Sequence, residues 1–361
     1  MLLFGYWEKN LGDDLILEEF IRNIRSVNKL ERICILSKKQ YKAYYNEMGC
    51  EVTCSDSFLY RAINRLLYTF RVPELFYRKC NNKENFVALG GSLFAEHLNS
   101  KVNDMQLCNL NYAVSKSKES YVIGSNFGPF SSEKHIQNYK KLFSRMKDVC
   151  FRDHYSVNII GENCRFAPDV VLSMRNTNTY NVTNESFDLM IPVNVYDRND
   201  LVDYADAYID GLLAYIGYSK NKGRQVKILI FCEKENDNEI CKKVFDRAID
   251  EYGKESVELV RYVSTSQIVN LFINAHTIFA TRFHAMILGL LFDKKVFPII
   301  YSSKMKEALE DYCDNARFIM LSDFDARSAK ESLEWSDFNS LNNNVIKDSQ
   351  GQFKYVSNFC K

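Results

Sequence analysis

Thr277-Ile278-Phe279-Ala280-Thr281-Arg282-Phe283-His284-Ala285-Met286-Ile287-Leu288-Gly289-Leu290-Leu291 is the stretch on which the fold turns. Its first five residues form an apolar, β-branched run of strand length, and residues 283–292 are apolar apart from His284. A strand with no polar face, followed at once by an apolar helix, is half of a βαβ unit buried on both sides. The spacing predicts a strand over 277–281 and a helix over 283–292, with Arg282 and His284 at their junction. Two such residues in an apolar segment are costly to bury without partners, and a helix N-terminus attracts anions. Alternation at the junction sends both side chains toward one pocket. We therefore prefer a functional pair to a capping histidine beside a structural arginine. The helix dipole favours a neutral imidazole and a bound anion favours the charged one. His284 is thus poised to donate a proton once an anionic substrate arrives.

The same grammar runs outward in both directions. Further strands are predicted over 2–6, 32–36, 86–89, 121–124, 149–152, 188–193, 226–232 and 296–300, with helices over 13–24, 137–146, 204–215 and 239–251. Alternating strands and helices predict an α/β fold with parallel sheets. The 361 residues suit two domains of ordinary size. A polar stretch rich in Asn and Thr, residues 175–186, reads as a linker. The expected organisation is an N-terminal Rossmann-like domain over 1–174, a C-terminal one over 187–338 and a tail over 339–361. The two domains are expected to face each other across a cleft, with ligands beyond the carboxyl ends of the strands.

Composition narrows the function. Lys and Arg total 47 against 46 Asp and Glu, a formal charge of +1, which argues against a nucleic-acid binder. No apolar run approaches the ~20 residues that span a bilayer. Met1 leads straight into Leu2-Leu3-Phe4-Gly5 without a basic region or cleavage site, so a cytoplasmic location is expected. In that setting the sequons at Asn181 and Asn184 carry no meaning. The 11 cysteines are odd in number, form no CxxC pair and stand beside only 5 histidines. Reduced core cysteines are expected, with no metal site.

Several loops at predicted strand ends are candidate ligand contacts. In the first, Asn10, Gly12 and Asp13 precede a helix. Gly12 is expected to permit a tight turn and Asp13 to offer either a ligand contact or a helix cap. Paired glycines in Gly90-Gly91-Ser92 let a ligand approach the backbone, and Gly124-Ser125-Asn126-Phe127-Gly128-Pro129 has similar character. Arg152 ends a strand, where its planar fork suits a carboxylate or phosphate; the alternative is a salt bridge to Asp153 or Asp169. Lys304 follows the strand over 296–300 and either faces the same cleft or is merely solvated. Together Arg152, Arg282, His284 and Lys304 predict a cationic pocket for a small, highly anionic substrate.

In this order, these segments resemble the polysaccharide pyruvyl transferase family. The matching elements are Asn10-x-Gly12-Asp13, Gly90-Gly91-Ser92, Phe151-Arg152-Asp153, Ala167-Pro168-Asp169, Arg282-Phe283-His284-Ala285 and the run from Pro298 to Lys304. The first loop departs from the family's form, with Tyr6-Trp7-Glu8 where glycines are common. The resemblance implies a GT-B-like fold and a phosphoenolpyruvate-dependent enzyme of bacterial surface polysaccharide (capsule) biosynthesis. Such an enzyme places a pyruvyl ketal on two hydroxyls of a sugar and uses phosphoenolpyruvate as co-substrate, without a cofactor. It implies a phosphoenolpyruvate site at Arg152, Arg282 and His284 and a sugar acceptor that can be polyprenyl-diphosphate-linked. On this reading each arginine clamps one anionic group, Lys304 assists, His284 protonates the enol carbon, and Asp13 and Glu233 are candidate bases. The competing readings are a GT-B glycosyltransferase using a nucleotide sugar and a non-catalytic binding member of the same fold.

The run from Phe58 to Arg71 is basic, aromatic and amphipathic, with Arg61 and Arg65 on one face and Leu59, Ile63, Leu66 and Phe70 at helical spacing. It reads as a core-packed helix with solvated arginines, or as a peripheral contact with the inner face of a membrane.

Overall fold

A computed structural model of the chain describes residues 1–176 and 186–356. Most of the predicted linker and both sequons lie outside these residues. The chain divides into two compact units. One holds Met1–Lys9, Asp13–Ser173 and the chain from Lys347 onward; the other holds Asn10–Gly12 and Met174–Ile346.

Short apolar runs make the strands of the first unit: β1 (Leu2–Phe4), β2 (Cys34–Ser37), β3 (Glu51–Cys54), β4 (Phe86–Leu89), β5 (Ser120–Ser125), β6 (Asp148–Phe151) and β7 (Arg165–Phe166). They pair in parallel in the order β3-β2-β1-β4-β5-β6-β7. The helices are α1 (Leu11–Val27), α2 (Lys42–Glu47), α3 (Phe58–Thr69), α4 (Ser100–Lys116), α5 (Glu133–Phe143) and α6 (His154–Ile160). Every residue of β4 and β5 is buried, as expected of central parallel strands covered on both faces. The core is aromatic: Phe94 meets Tyr139, Phe143 and Phe151 with ring centroids 5.4, 5.0 and 6.4 Å apart.

The second unit repeats the plan with β8 (Phe187–Ile191), β9 (Gln225–Ile230), β10 (Val257–Arg261), β11 (Thr277–Ala280), β12 (Lys295–Ile300) and β13 (Ile319–Met320). They too are parallel, ordered β10-β9-β8-β11-β12-β13. The helices are α7 (Ala205–Asn221), α8 (Asp237–Tyr252), α9 (Thr265–Asn274), α10 (Phe283–Leu291), α11 (Ser303–Tyr312), α12 (Ala326–Ser332) and, leading back to the first unit, α13 (Val345–Ser349). Tyr215 stacks on Phe279 with centroids 4.2 Å apart at the centre of this core. Beyond α13, Gln352 accepts from the Gly124 amide at 2.8 Å and donates to the Ala167 carbonyl at 2.6 Å, so the segment after α13 is stitched to the first sheet at this residue.

In both sheets the strand order reverses once, between β1 and β4 and between β8 and β11. Such a reversal opens a crevice at the carboxyl ends of the two strands, where ligands of open α/β sheets bind. Among the described residues no helix is long and apolar enough to cross a membrane.

Candidate functional site

The second unit carries the denser constellation, at its reversal point. β11 ends at Ala280, and Arg282 caps α10 in an extended conformation, φ −100° and ψ 139°. Arg282 is 6% exposed. Its Nη1 donates to Glu235 and its Nη2 to Asp237, both just beyond β9. Asp237 is wholly buried; it also accepts from the Asn194 amide at 3.2 Å and the Cys232 amide at 3.0 Å. Burial pushes the Asp237 carboxyl above the usual carboxylate range, and Arg282 offsets only part of that. Burial acts on Glu235 the same way, but Arg282, Arg198 and Lys304 together outweigh it and hold the group below its ordinary value. Burial opposes the charge of Arg282, yet the two carboxylates keep it firmly protonated.

Glu235 therefore collects three cations. Arg198, in the loop after β8, lies 3.9 Å from it and sits over the Tyr301 ring at 4.5 Å. Lys304 is in the first turn of α11 and acts on Glu235 through its charge. Two buried polar atoms here have no hydrogen-bond partner among the described residues: Nε of Arg282 and Oγ of Ser302, at the ends of the adjacent strands β11 and β12. An unmet buried donor costs about 1–3 kcal/mol, so both atoms have hydrogen-bonding capacity left to offer.

His284 is 8% exposed, in the first turn of α10. Its imidazole lies directly over Gly12, where an added Cβ would stand 1.8 Å from Nδ1. This corrects the expected role of Gly12. The residue lies in α1, not in a tight turn, and its missing side chain makes room for the histidine. Asn10 accepts from the Gly12 amide at 3.1 Å and so supplies the cap that was one of the two alternatives for Asp13, and its amide also reaches the Cys232 sulfur at 3.7 Å.

In the first unit, Gly90 and Gly91 both have positive φ, 71° and 62°, and turn the chain sharply after β4. An added Cβ on Gly91 would lie 2.9 Å from a carboxylate oxygen of Asp13. Asp13 and the glycine turn therefore meet at the β1/β4 reversal. Ser92 donates to Oδ1 of Asn126 at 3.0 Å, and Nη2 of Arg152 donates to the same oxygen at 2.9 Å. Nη1 of Arg152 donates to Asp169 at 2.8 Å, with the two side chains 3% and 0% exposed. The salt-bridge alternative for Arg152 is thus realised with Asp169, while Asp153 caps α6 through the Ser156 amide at 2.7 Å.

The structure brings Arg282 and Lys304 together around Glu235, His284 onto Gly12, Asp13 onto Gly91, and Ser92 to Arg152 through Asn126. Uncompensated positive charge is not what it shows, because buried carboxylates accompany both arginines. Glu233 points outward, paired with Arg261 at 2.7 Å, and the half-buried Glu235 takes the place beside Arg282 instead. Sequence reasoning passed over Arg198, Glu235 and Asp237, and gave Asn126 only as part of a candidate loop. The signal was available in Glu233-Lys-Glu-Asn-Asp237, a charged turn directly after a buried strand and the natural source of partners for Arg282.

Comparison with known proteins gives the same two-unit fold. UDP-GlcNAc 2-epimerase from Methanocaldococcus jannaschii superimposes with a TM-score of 0.61 at 9% identity, covering 99% of this chain and 98% of that one. A putative UDP-N-acetylglucosamine 2-epimerase from Listeria monocytogenes gives 0.59 at 6% identity, covering 99% and 93%. The corresponding protein from Rickettsia bellii gives 0.57 at 9% identity, covering 99% and 94%. At such identities the likeness is one of fold, two parallel-sheet α/β units of the GT-B class. A search of the curated proteins finds no significant match. The family Polysaccharide pyruvyl transferase matches residues 10–303, a span that contains Asn10, Gly12, Arg152, Arg282 and His284. The chain belongs to the polysaccharide pyruvyl transferase family.

Proposed function

We propose that the protein transfers the pyruvyl group of phosphoenolpyruvate to two hydroxyls of a sugar, as a cyclic ketal, on a lipid-linked glycan of a bacterial surface polysaccharide. The observation that supports this reading best is the pairing of Arg282 and His284 at the N-terminus of α10, inside the family-matched span. Arg282 is held rigid by Glu235 and Asp237, and its unmet Nε offers a fixed donor to one anionic group of the donor substrate. Lys304, Arg198 and the first amides of α10 and α11 suit the other. Arg152 keeps Asn126 and Ser92 in place within the first unit.

The chemistry balances without a cofactor. His284 gives a proton to the methylene carbon of the enol, which leaves oxocarbenium character on the carbon bearing the phosphate. One sugar hydroxyl adds there, the C–O bond to phosphate breaks, and the second hydroxyl closes the ring. Of the two hydroxyl protons, one restores His284 and the other leaves with inorganic phosphate.

Phosphate release from phosphoenolpyruvate, with the matching mass gain on polyprenyl-diphosphate-linked glycans, tests this directly. His284→Ala is expected to lower turnover by ~10²–10⁴-fold while phosphoenolpyruvate still binds. Arg282→Lys is expected to lose phosphoenolpyruvate binding, because an ammonium cannot reproduce the fork. The proteins of similar fold are named for UDP-GlcNAc, so a nucleotide sugar is the necessary control. Its consumption in the absence of phosphoenolpyruvate turnover would overturn the proposal in favour of glycosyl transfer.

A further inference from the structure

Helix α3 stands apart from every other helix of the first unit. It is twelve residues long, and none of them is buried. Ser57 caps it through the Tyr60 amide at 3.4 Å, and its inner side combines half-buried packing, Tyr60 against the core, with polar contacts. Asn64 accepts from the Leu75 amide at 2.9 Å, and the Tyr60 hydroxyl reaches Glu74 at 3.4 Å.

Of the apolar residues at helical spacing, Ile63 is half-buried, while Leu59, Leu66 and Phe70, with Phe58, point to solvent, so the core-packed reading of this run fails for most of them. Phe58 is 83% exposed, Leu59 68%, Leu66 61% and Phe70 69%. At 3.6 residues per turn the half-buried Tyr60, Ile63, Asn64 and Leu67 form the inner face. On the outer face, Leu59, Leu66 and Phe70 line one flank, Arg61 and Arg65 line the other, and Phe58 lies between them. Arg71 follows directly, also exposed. No acidic residue occurs between Asp56 and Glu74, so this surface carries three positive charges and no negative one.

A helix that only half-buries its inner face, with large apolar side chains turned outward, exposes area that monomeric proteins usually hide. We propose that α3 docks on an anionic lipid bilayer, lying in the interface with Phe58, Leu59, Leu66 and Phe70 in the acyl boundary and Arg61, Arg65 and Arg71 at the headgroups. The charge decides the occupant. A second copy would set three arginines against three, and a neutral apolar partner would leave them unmatched, whereas phosphate headgroups answer each of them. The inference rests on α3 alone and does not depend on the reaction assigned above.

Flotation of the full chain with vesicles of phosphatidylcholine, with and without phosphatidylglycerol, is the test. The protein is expected to float with the mixed vesicles and far less with phosphatidylcholine alone. Arg61→Gln with Arg65→Gln should weaken partitioning by about 30-fold, the product of two losses of ~1 kcal/mol each near an anionic surface. Leu59→Ser, Leu66→Ser and Phe70→Ser together should abolish it, with an unchanged melting temperature because none of these residues is buried. Equal flotation of wild type and variants, or none by wild type, would overturn the proposal. So would a vesicle-free dimer that the serine variant dissociates, since the face would then belong to a second copy.

Discussion

Gly12→Ala is the sharpest probe of the second unit's site. Alanine is the milder residue for a helix, by about 1 kcal/mol relative to glycine, and position 12 lies within α1. On helix propensity alone the variant should be the more stable protein. The geometry says otherwise, because the new Cβ would stand 1.8 Å from Nδ1 of His284 and 2.6 Å from Cε1 and Cγ. Non-bonded carbons settle at about 3.5–4.0 Å, so the imidazole and the first turn of α1 must separate by about 2 Å. His284 is 8% exposed and has no solvent to retreat into. Overpacking of this kind costs ~1–3 kcal/mol, which leaves a net destabilisation of about 0–2 kcal/mol after the helix term.

The effect on turnover should be larger than the effect on folding. A 1 Å misplacement of a catalytic group can cost ~10²-fold, so Gly12→Ala is expected to lose at least about that factor in kcat. Its Kd for phosphoenolpyruvate should change much less, because Arg282, Glu235 and Asp237 are not displaced. Gly5→Ala is the matched control. Its Cβ would collide with the Trp7 ring at 2.2 Å and touch nothing at His284. Calorimetric titration with phosphoenolpyruvate, single-turnover phosphate release and thermal melts on both variants separate the terms. Wild-type turnover by Gly12→Ala beside an inactive His284→Ala would refute the claim that the position of this imidazole matters. Equal losses in Gly12→Ala and Gly5→Ala would reduce the effect to general strain.

Asp237→Ala removes the buried partner of Arg282 together with the acceptor of the Asn194 and Cys232 amides and should cost about 3–5 kcal/mol in urea unfolding, a figure typical of a broken buried ion pair. Arg152→Lys cannot hold Asp169 and Asn126 at once; a lowered denaturation midpoint is expected, and an unchanged one would mean that the fork contributes nothing. Glu96 accepts from the amides and hydroxyls of Ser131 and Ser132, which holds its carboxyl down to about 2. Its folded pKa lies below its unfolded one, so its contribution is complete above the ordinary carboxylate range and disappears as pH falls toward 2. Carbon-detected NMR titration should find it still ionised at pH 3, and Glu96→Gln should flatten the acid limb of the stability curve. Glu235 has the same sign, held down by Arg282, while Asp237, raised by burial, has the opposite one. Glu235→Gln should therefore weaken acid sensitivity where Asp237→Asn does not.

What the sequence disclosed and what it hid follow one physical line. The four strands that pattern reading missed, β3, β7, β10 and β13, are the four sheet edges. An edge strand is half-solvated, so its polar residues dilute the apolar run; in β10, Val257 and Val260 are buried while Glu258 and Arg261 are exposed. The central strands, closed on both faces, were legible because burial forbids that dilution. The site divides in the same way. Arg282 and His284 were visible because they interrupt an apolar segment. Their environment was not, since Glu235 and Asp237 lie 47 and 45 positions away and the glycine beneath His284 lies at the other end of the chain. In α3 the period of the helix was readable, but which face would be covered was not, because that depends on distant contacts such as Asn64 to the Leu75 amide and Tyr60 to Glu74. Counting charges in one dimension therefore overstated the cationic character of the pocket. A chain with a formal charge of +1 that is to hold an anion, as proposed above, does so less by surplus positive charge than by aim. Carboxylates hold two nitrogens of the Arg282 guanidinium in one orientation and leave its Nε unmet at the N-terminus of α10.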